Sequence, residues 1–174
     1  MPCSDRRGLR ARATRTLRRA GGPIIAAALA IAALSGCTDS RGKEISALDV
    51  KVGDCLTPPD TVKAELSKLT ILPCSDDHTQ EAYAIVRYST GSGSPADANA
   101  PYPGSDALTS FANSACAQRF ADYVGIPYTD STLFFTFLLP SARGWETADD
   151  RSIICLVTTT GGQLLSGSIK NSQR

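Results

Sequence analysis

Histidine is almost missing from this chain, since His78 is the only one among its 174 residues. A single histidine excludes the two- and three-histidine zinc centres found in many metalloenzymes. The sequence also contains no P-loop and no dinucleotide-binding glycine fingerprint, which argues against a nucleotide-dependent enzyme. Composition and motifs alone therefore argue against multi-histidine zinc enzymes and nucleotide-dependent enzymes.

Long apolar runs are absent as well, and the run formed by residues 23–36 has only fourteen residues. This is short of the ~20 residues that a transmembrane helix needs. It follows seven arginines within the first twenty-two residues, an arrangement typical of a signal peptide. The run ends in Leu34-Ser35-Gly36-Cys37, which resembles the lipobox of bacterial lipoproteins. We therefore predict that residues 1–36 are a lipoprotein signal peptide and that Cys37 receives diacylglycerol, by either the general secretory or the twin-arginine route.

Basic residues are scarce beyond this predicted leader. Residues 37–174 contain eleven Lys and Arg against sixteen Asp and Glu, a formal charge of −5. An acidic chain without a basic stripe lacks the electrostatic surface of a nucleic-acid binder, so no nucleic-acid partner is expected. The two acyl chains of a diacylated Cys37 suffice for stable anchoring. The expected location is the extracytoplasmic face of the cell membrane, with the diacylglycerol as the membrane contact.

Four cysteines remain after the leader and the lipid site are set aside: Cys55, Cys74, Cys116 and Cys155. Zinc sites pair their cysteines a few residues apart, whereas the gaps here are 19, 42 and 39 residues. An exported domain with four such cysteines is expected to form two disulfides. Three pairings exist, and we favour Cys55–Cys74 and Cys116–Cys155 because each joins segments that the hydrophobic pattern places side by side.

The domain organisation follows from changes in polarity along the chain. Residues 37–48 are small and polar, which predicts a lipid-anchored tether, and residues 49–170 are expected to form one domain. Residues 89–104 are poor in hydrophobic side chains and predict a surface loop, mobile over residues 91–100. A short helical pattern follows Asp60 and includes Leu69.

Hydrophobic periodicity predicts strands and one main helix. The helix begins with a cap at Ser105 or Asp106 and ends at Gly125. Alternation over residues 81–88 places Ala82, Ala84 and Val86 on one face of a strand. Four further strand segments are expected: residues 70–74, a central strand buried on both faces at 132–139, and a hairpin of residues 152–160 and 163–170. The predicted fold class is α+β, a small antiparallel sheet of about five strands with one main helix packed across it and two disulfides.

Few side chains carry recognisable chemistry. His78 stands near Asp76 and Glu81, which could complete a metal site or support hydrolysis. We expect instead that the imidazole bonds to backbone groups of the corner beside a disulfide or is exposed, because the sequence singles out no nucleophile for it to activate. No catalytic residue, no metal ligand and no cofactor is therefore assigned. Trp145 is interpreted mainly as a plug at the end of the core, and as a binding residue in the alternative.

The ordered landmarks of the chain resemble a known family. They are Gly53-Asp54-Cys55-Leu56, then Cys74-Ser75 followed by His78 and Glu81, then Tyr102-Pro103-Gly104, Cys116, Trp145 and Cys155. Together they are similar to the septum formation domain of exported and membrane-anchored actinobacterial proteins, over residues 49–169. The resemblance implies a link to the division septum or to cell-wall assembly, and it implies no catalytic residues and no defined ligand.

Three functions are consistent with these observations. The leading one is a non-enzymatic binding or scaffolding lipoprotein that contacts an envelope or division protein or a wall component, with Trp145, Tyr102 and His78 as candidate binding residues. The second is an envelope hydrolase or metal-dependent enzyme that uses His78. The third is a purely structural surface lipoprotein.

Overall fold

The computed structural model describes residues 42–57, 68–90, 95–97 and 99–174. The predicted signal peptide, Cys37 and the beginning of the tether lie outside these residues. The fold class is confirmed: one antiparallel sheet carries one long helix. The sheet has six strands in the order β1-β3-β2-β4-β6-β5, one strand more than expected. The strands are β1 Lys43–Ser46, β2 Cys55–Thr57, β3 Lys68–Leu72, β4 Gln80–Arg87, β5 Phe134–Leu138 and β6 Ser152–Thr158.

In the described part of the chain, two helices and two 3-10 turns complete the fold. The long helix α1 spans Ser105–Val124 and the short helix α2 spans Ala142–Thr147. The 3-10 turns are Ala47–Asp49 and Tyr128–Asp130. Within the described ranges, no helix has the length and apolar character needed to cross a membrane.

Helix α1 buries the face that its periodicity predicts, but it begins differently. Its buried residues recur at three- and four-residue spacing: Leu108, Ala112, Cys116, Phe120, Tyr123 and Val124. The N-cap is Gly104, with φ of 89° and no side-chain cap, so the predicted cap at Ser105 or Asp106 is wrong. Gly125 ends the helix as predicted, because its φ of 93° is the left-handed conformation that stops a helix.

Strand β4 departs from simple alternation. The register with β6 shifts between Ala82 and Ala84, which marks a β-bulge. As a result Tyr83 packs with Ala84 and Val86 in the cluster beneath α1, while Ala82 belongs to the cluster on the other face. The predicted grouping of Ala82 with Ala84 and Val86 is therefore wrong, because an extra residue reverses the alternation at that point.

Strand β5 is an edge strand and not the predicted central strand. It pairs with β6 alone, and Phe134 at its start is 43% exposed. Its apolar run has another cause: Phe135 and Phe137 pack against the cluster beneath α1, and Leu138 packs against the cluster on the opposite face. Apolar side chains on both faces do not require a strand neighbour on both edges.

The predicted C-terminal hairpin does not form. The turn at Gly161 and Gly162 exists, with φ of 67° and 73°, but residues 163–170 form no strand. Strand β6 already has β4 and β5 on its two edges, so no position beside it is free. Residues beyond the turn lie against the segment just before β4 instead, where Leu165 forms an isolated bridge with His78.

Three other expectations change near the N-terminal half. Residues 43–46 of the predicted tether form β1, which pairs with β3. Leu69, assigned to a helix after Asp60, lies in β3, and the rest of that predicted helix is outside the described residues. The loop at 89–104 is partly packed, since Ala96 is 5% exposed and donates its N–H to the carbonyl of Tyr88. Part of the stretch predicted to be mobile, residues 91–94 and 98, is also outside the described residues.

Candidate functional site

Both predicted disulfides are present. Cys55–Cys74 ties β2 to the turn after β3 with a Cα–Cα distance of 5.2 Å. Cys116–Cys155 ties α1 to β6 with a Cα–Cα distance of 5.5 Å. The first bridge therefore joins β2 to the turn that follows its neighbour β3, and the second fastens the helix to β6, the strand beside the edge strand β5.

Glu81 is a buried acid whose two carboxylate oxygens both accept hydrogen bonds. The residue is 0% exposed. Its Oε1 accepts hydrogen bonds from the hydroxyls of Tyr123 at 2.6 Å and Ser168 at 2.7 Å. Its Oε2 accepts a third bond from the N–H of Ile169 at 2.8 Å. One buried carboxylate thus holds the end of α1 and the C-terminal segment against β4, and its oxygens are occupied by protein donors.

Two tyrosines of the core have raised pKa values: Tyr123, which bonds to this carboxylate, and Tyr83, whose ring centroid lies 6.4 Å from that of Tyr123. Burial, reinforced by the hydrogen bond to Glu81, raises the pKa of Tyr123 above its ordinary value. Burial and the nearby Tyr128 likewise raise the pKa of Tyr83, whose hydroxyl donates to the carbonyl of Cys116 at 2.9 Å. Both hydroxyls are therefore held in the neutral, hydrogen-bond-donating form.

His78 lies beside Glu81 but is closed off from solvent. Its side chain is 0% exposed, and its Nδ1 is 2.8 Å from the carbonyl oxygen of Asp76. Because a carbonyl only accepts, Nδ1 is the protonated nitrogen. Nε2 is 3.9 Å from Oε2 of Glu81 and has no hydrogen-bond partner among the described residues. The backbone contact next to the disulfide agrees with the structural role expected for this ring.

The sulfurs of Cys55 and Cys74 lie within 4.8 Å of the Glu81 carboxylate, a spacing that a metal ion could bridge. Metal binding by cysteine requires the thiolate, and these sulfurs are joined in a disulfide. The oxygens of Glu81 are also already bonded to three protein donors. The arrangement does not fit a metal centre.

Trp145 closes one end of the core. It is 2% exposed, and its Nε1 donates to the carbonyl of Ala100 at 2.7 Å. The guanidinium carbon of Arg151 lies 3.9 Å from the indole centroid, and Tyr102 meets the ring edge-on at 5.8 Å. Arg151 also lies 3.6 Å from a carboxylate oxygen of Asp149. Trp145 and His78 are buried, at 2% and 0% exposure, and the half-buried ring of Tyr102 packs against Trp145.

A groove with a volume of about 710 Å³ lies between β4 and α1. One wall is formed by five consecutive residues of β4, residues 83–87, and Val52 closes one end. The other wall is one face of α1, with residues at three- and four-residue spacing: Phe111, Ser114, Ala115, Gln118, Arg119 and Asp122. We refer to this feature as the β4–α1 groove. Sequence reasoning did not find it, because it depends on where β2 stops pairing with β4.

A second, more apolar groove of about 500 Å³ lies on the opposite face of the sheet. Its apolar lining includes Leu48, Val50, Leu138 and Ile154. Leu48 is 61% exposed at its rim. The two grooves meet at Ile85, which lines both.

The profile of the family described as septum formation matches residues 52–173. The chain belongs to the septum formation family. This confirms the resemblance found in its motifs, and the match covers the two disulfides, Glu81 and both walls of the β4–α1 groove.

Curated relatives of this septum formation chain come from mycobacteria. "Putative lipoprotein LppN" of Mycobacterium tuberculosis and its counterpart in Mycobacterium bovis are each 32% identical over 127 residues, covering 71% of this chain and 63% of the relative. "Uncharacterized membrane protein Rv3835" of Mycobacterium tuberculosis is 28% identical over 125 residues, covering 70% of this chain and 27% of the relative. The chain thus spans less than two thirds of the length of these relatives. No solved structure matches it significantly.

Proposed function

We propose that this protein is a lipid-anchored binding or scaffolding module on the extracytoplasmic face of the cell membrane, without enzymatic activity, that acts in septum formation or cell-wall assembly. The Leu34-Ser35-Gly36-Cys37 string supports the anchor. Membership of the septum formation family supports the process, and the printed name of the mycobacterial lipoprotein agrees with the anchor.

The burial of the polar core residues carries the non-enzymatic part of the proposal. His78, Glu81 and Arg151 are the buried charged or ionisable polar residues of the described core, at 0%, 0% and 1% exposure. Glu81 is saturated by hydrogen bonds, and His78 has no nucleophile within its contacts. General acid–base catalysis needs a titratable group within reach of a substrate proton. In the described core the ionisable groups are buried, and Glu81 is fully hydrogen-bonded to protein donors. This argues against a hydrolase that uses His78.

The anchor and the septal role can be tested together in the host bacterium. The gene is deleted and then restored as wild type, as Cys37→Ala, or as Cys3→Ala, which removes a cysteine from the predicted leader as a matched control. We expect misplaced or incomplete septa after deletion, with rescue by wild type and Cys3→Ala but not by Cys37→Ala. Normal septation after deletion contradicts the septal role, and full rescue by Cys37→Ala contradicts the need for the anchor.

A purely structural surface lipoprotein is the competing function. It predicts no specific neighbour in the membrane, whereas a binding module predicts one. Chemical crosslinking of the native protein in isolated membranes, followed by mass spectrometry, separates the two. A reproducible neighbour that disappears when a groove residue is changed supports the binding module.

A further inference from the structure

The edge of β4 loses its strand neighbour part-way along. Gln80 and Glu81 pair with β2, and Ala82 exchanges main-chain hydrogen bonds with Gly53 and Asp54 at 2.7 and 2.9 Å. The segment that precedes β2 turns away from β4 at Gly53, whose φ is 97°. From residue 83 to residue 87, β6 is the one strand that pairs with β4 in the described part of the chain. The opposite edge of that stretch forms the wall of the β4–α1 groove.

The main-chain groups that face this edge can be assigned. The N–H of Tyr88 donates to the carbonyl of Arg151 at 2.8 Å, so Tyr88 faces the β6 side. Main-chain groups alternate between the two sides of an antiparallel strand, so Ile85 and Arg87 direct theirs to the open edge. No main-chain bond between described residues, apart from the strand pairings, involves either residue.

We propose that the β4–α1 groove binds an extended peptide segment of a partner protein, which adds to the sheet as a strand beside residues 83–87. An unpaired strand edge offers a row of donors and acceptors that another extended backbone satisfies, and a flanking helix gives alternate side chains of the added strand a surface to contact. The inference rests on the proposed function as a binding module and names the chemistry of its partner.

The side chains of the groove define the peptide further. Phe111 and Ala115 on α1 present an apolar surface to alternate residues of an added strand. Arg87, Arg119 and Asp122 line the same groove, so it carries one net positive charge although residues 37–174 carry −5. Arg87 already lies 3.3 Å from Asp149. The segment we infer therefore alternates apolar residues and carries an acidic residue within reach of Arg119.

The test uses the full acylated protein purified in detergent and a display library of random peptides of about ten residues, the length of a long strand. Selected peptides are synthesised and titrated against wild type and variants by fluorescence anisotropy. We expect enrichment of apolar–alternating sequences with an acidic residue. Failure to enrich any sequence overturns the inference and leaves the anchor and septal role untouched, since those are tested in cells.

Ile85→Pro tests recognition of the backbone, and Ile85→Ala is its matched control. Proline removes the N–H that faces the open edge, and the hydrogen bonds between β4 and β6 keep all their donors. Proline is tolerated at such positions on sheet edges. We expect Ile85→Pro to weaken binding at least about tenfold, the loss that one or two main-chain hydrogen bonds produce. Ile85→Ala keeps the N–H and is expected to weaken binding by less. Equal binding by wild type and folded Ile85→Pro contradicts the added strand.

Two further pairs of variants test the walls of the groove, and they decide the question if Ile85→Pro does not fold. Ser114→Trp fills the groove from α1, whereas Asn113→Trp adds the same ring to an exposed position outside it. Arg119→Glu reverses a charge in the groove, whereas Arg143→Glu reverses an exposed charge on α2. Loss of binding confined to Ser114→Trp and Arg119→Glu supports the inference, and equal effects within each pair contradict it.

Amide hydrogen exchange shows what covers the edge. In the free protein the amides of Ile85 and Arg87 are expected to exchange faster than those of Ala84 and Val86, and the added peptide is expected to slow them. Slow exchange of Ile85 and Arg87 without peptide overturns the inference, because it means that a second copy or another part of the chain already occupies the edge.

Discussion

The hydroxyl of Tyr123 donates a 2.6 Å hydrogen bond to Glu81, and this bond joins the last turn of α1 to the start of β4. The same carboxylate bonds the C-terminal segment through Ser168 and Ile169. Three parts of the chain that are distant in sequence therefore meet at one buried group. The groove wall contributed by α1 keeps its place beside β4 partly through this contact.

Glu81→Gln is expected to destabilise the fold by about 1–3 kcal/mol. Glutamine replaces one of the two acceptor oxygens with an NH2 group, which only donates. At least one of the buried donors around residue 81 therefore loses its hydrogen-bond partner. Urea unfolding with the disulfides intact measures the change. Glu146→Gln, an exposed change on α2, is the matched control and is expected to stay within about 0.5 kcal/mol. A cost for Glu81→Gln as small as the control contradicts the network.

Stability is expected to fall as the pH rises above about 10, the ordinary pKa of tyrosine. The folded-state pKa values of Tyr83 and Tyr123 are raised, so above pH ~10 the unfolded chain releases protons that the folded chain retains. The stabilisation is complete below that pH and is lost as the pH increases. Tyrosinate absorbance at about pH 11 should therefore rise when urea unfolds the protein, and Tyr83→Phe should reduce the rise. Equal tyrosinate absorbance before and after unfolding contradicts the shift.

Removal of the disulfides should be costly, and more so for the longer loop. The Cys55–Cys74 and Cys116–Cys155 bridges span 19 and 39 residues. Loop-closure entropy assigns them about 3 and about 4 kcal/mol of stability. We expect the paired replacement of Cys116 and Cys155 by alanine to lower the urea midpoint more than the paired replacement of Cys55 and Cys74. The reverse order shows that packing strain, and not loop length, dominates.

Trp145→Phe is expected to destabilise the protein by about 2–4 kcal/mol. The substitution removes the hydrogen bond to Ala100 and part of the surface that covers Arg151. Phe134→Leu, at a 43% exposed position, is the control and should cost much less. Urea unfolding followed by circular dichroism measures both variants, since Trp145→Phe has no tryptophan left. In the wild type, the fluorescence of Trp145, the only tryptophan, reports its own environment. Easy quenching of the folded protein by acrylamide contradicts the burial.

The sequence predicted the features that depend mainly on residues close together in the chain. Helix α1 was predictable because its apolar spacing and Gly125 act within a few residues of one another. Both disulfides were predicted from the cysteine spacing and from the segments that the hydrophobic pattern places side by side. The backbone hydrogen bond of the His78 ring was one of the two outcomes expected from its place in a tight corner beside Cys74.

Features that depend on distant pairing could not be predicted in the same way. The apolar run of β5 indicates contact on both faces but says nothing about how many edges are paired, so the strand was placed wrongly. The bulge at Tyr83 arises from the register with β6, which the alternation of β4 alone does not contain. Leu165 crosses to His78 because β5 and β4 already flank β6.

The β4–α1 groove was unpredictable for the same reason. It exists because β2 spans only Cys55–Thr57 while β4 spans Gln80–Arg87, so the two strands cannot pair along the whole of β4. Glu81 offered a weaker signal, a charged residue within an apolar strand, which indicates a buried partner without identifying it.

The intact mass of the native protein extracted from membranes tests the account most directly. We predict a chain that begins at Cys37, carries covalent fatty acid on that residue, and offers no thiol to alkylation until it is reduced, after which Cys55, Cys74, Cys116 and Cys155 react. A full-length, unacylated chain in the cytosol with free thiols contradicts the anchor, the compartment and the binding role built on them.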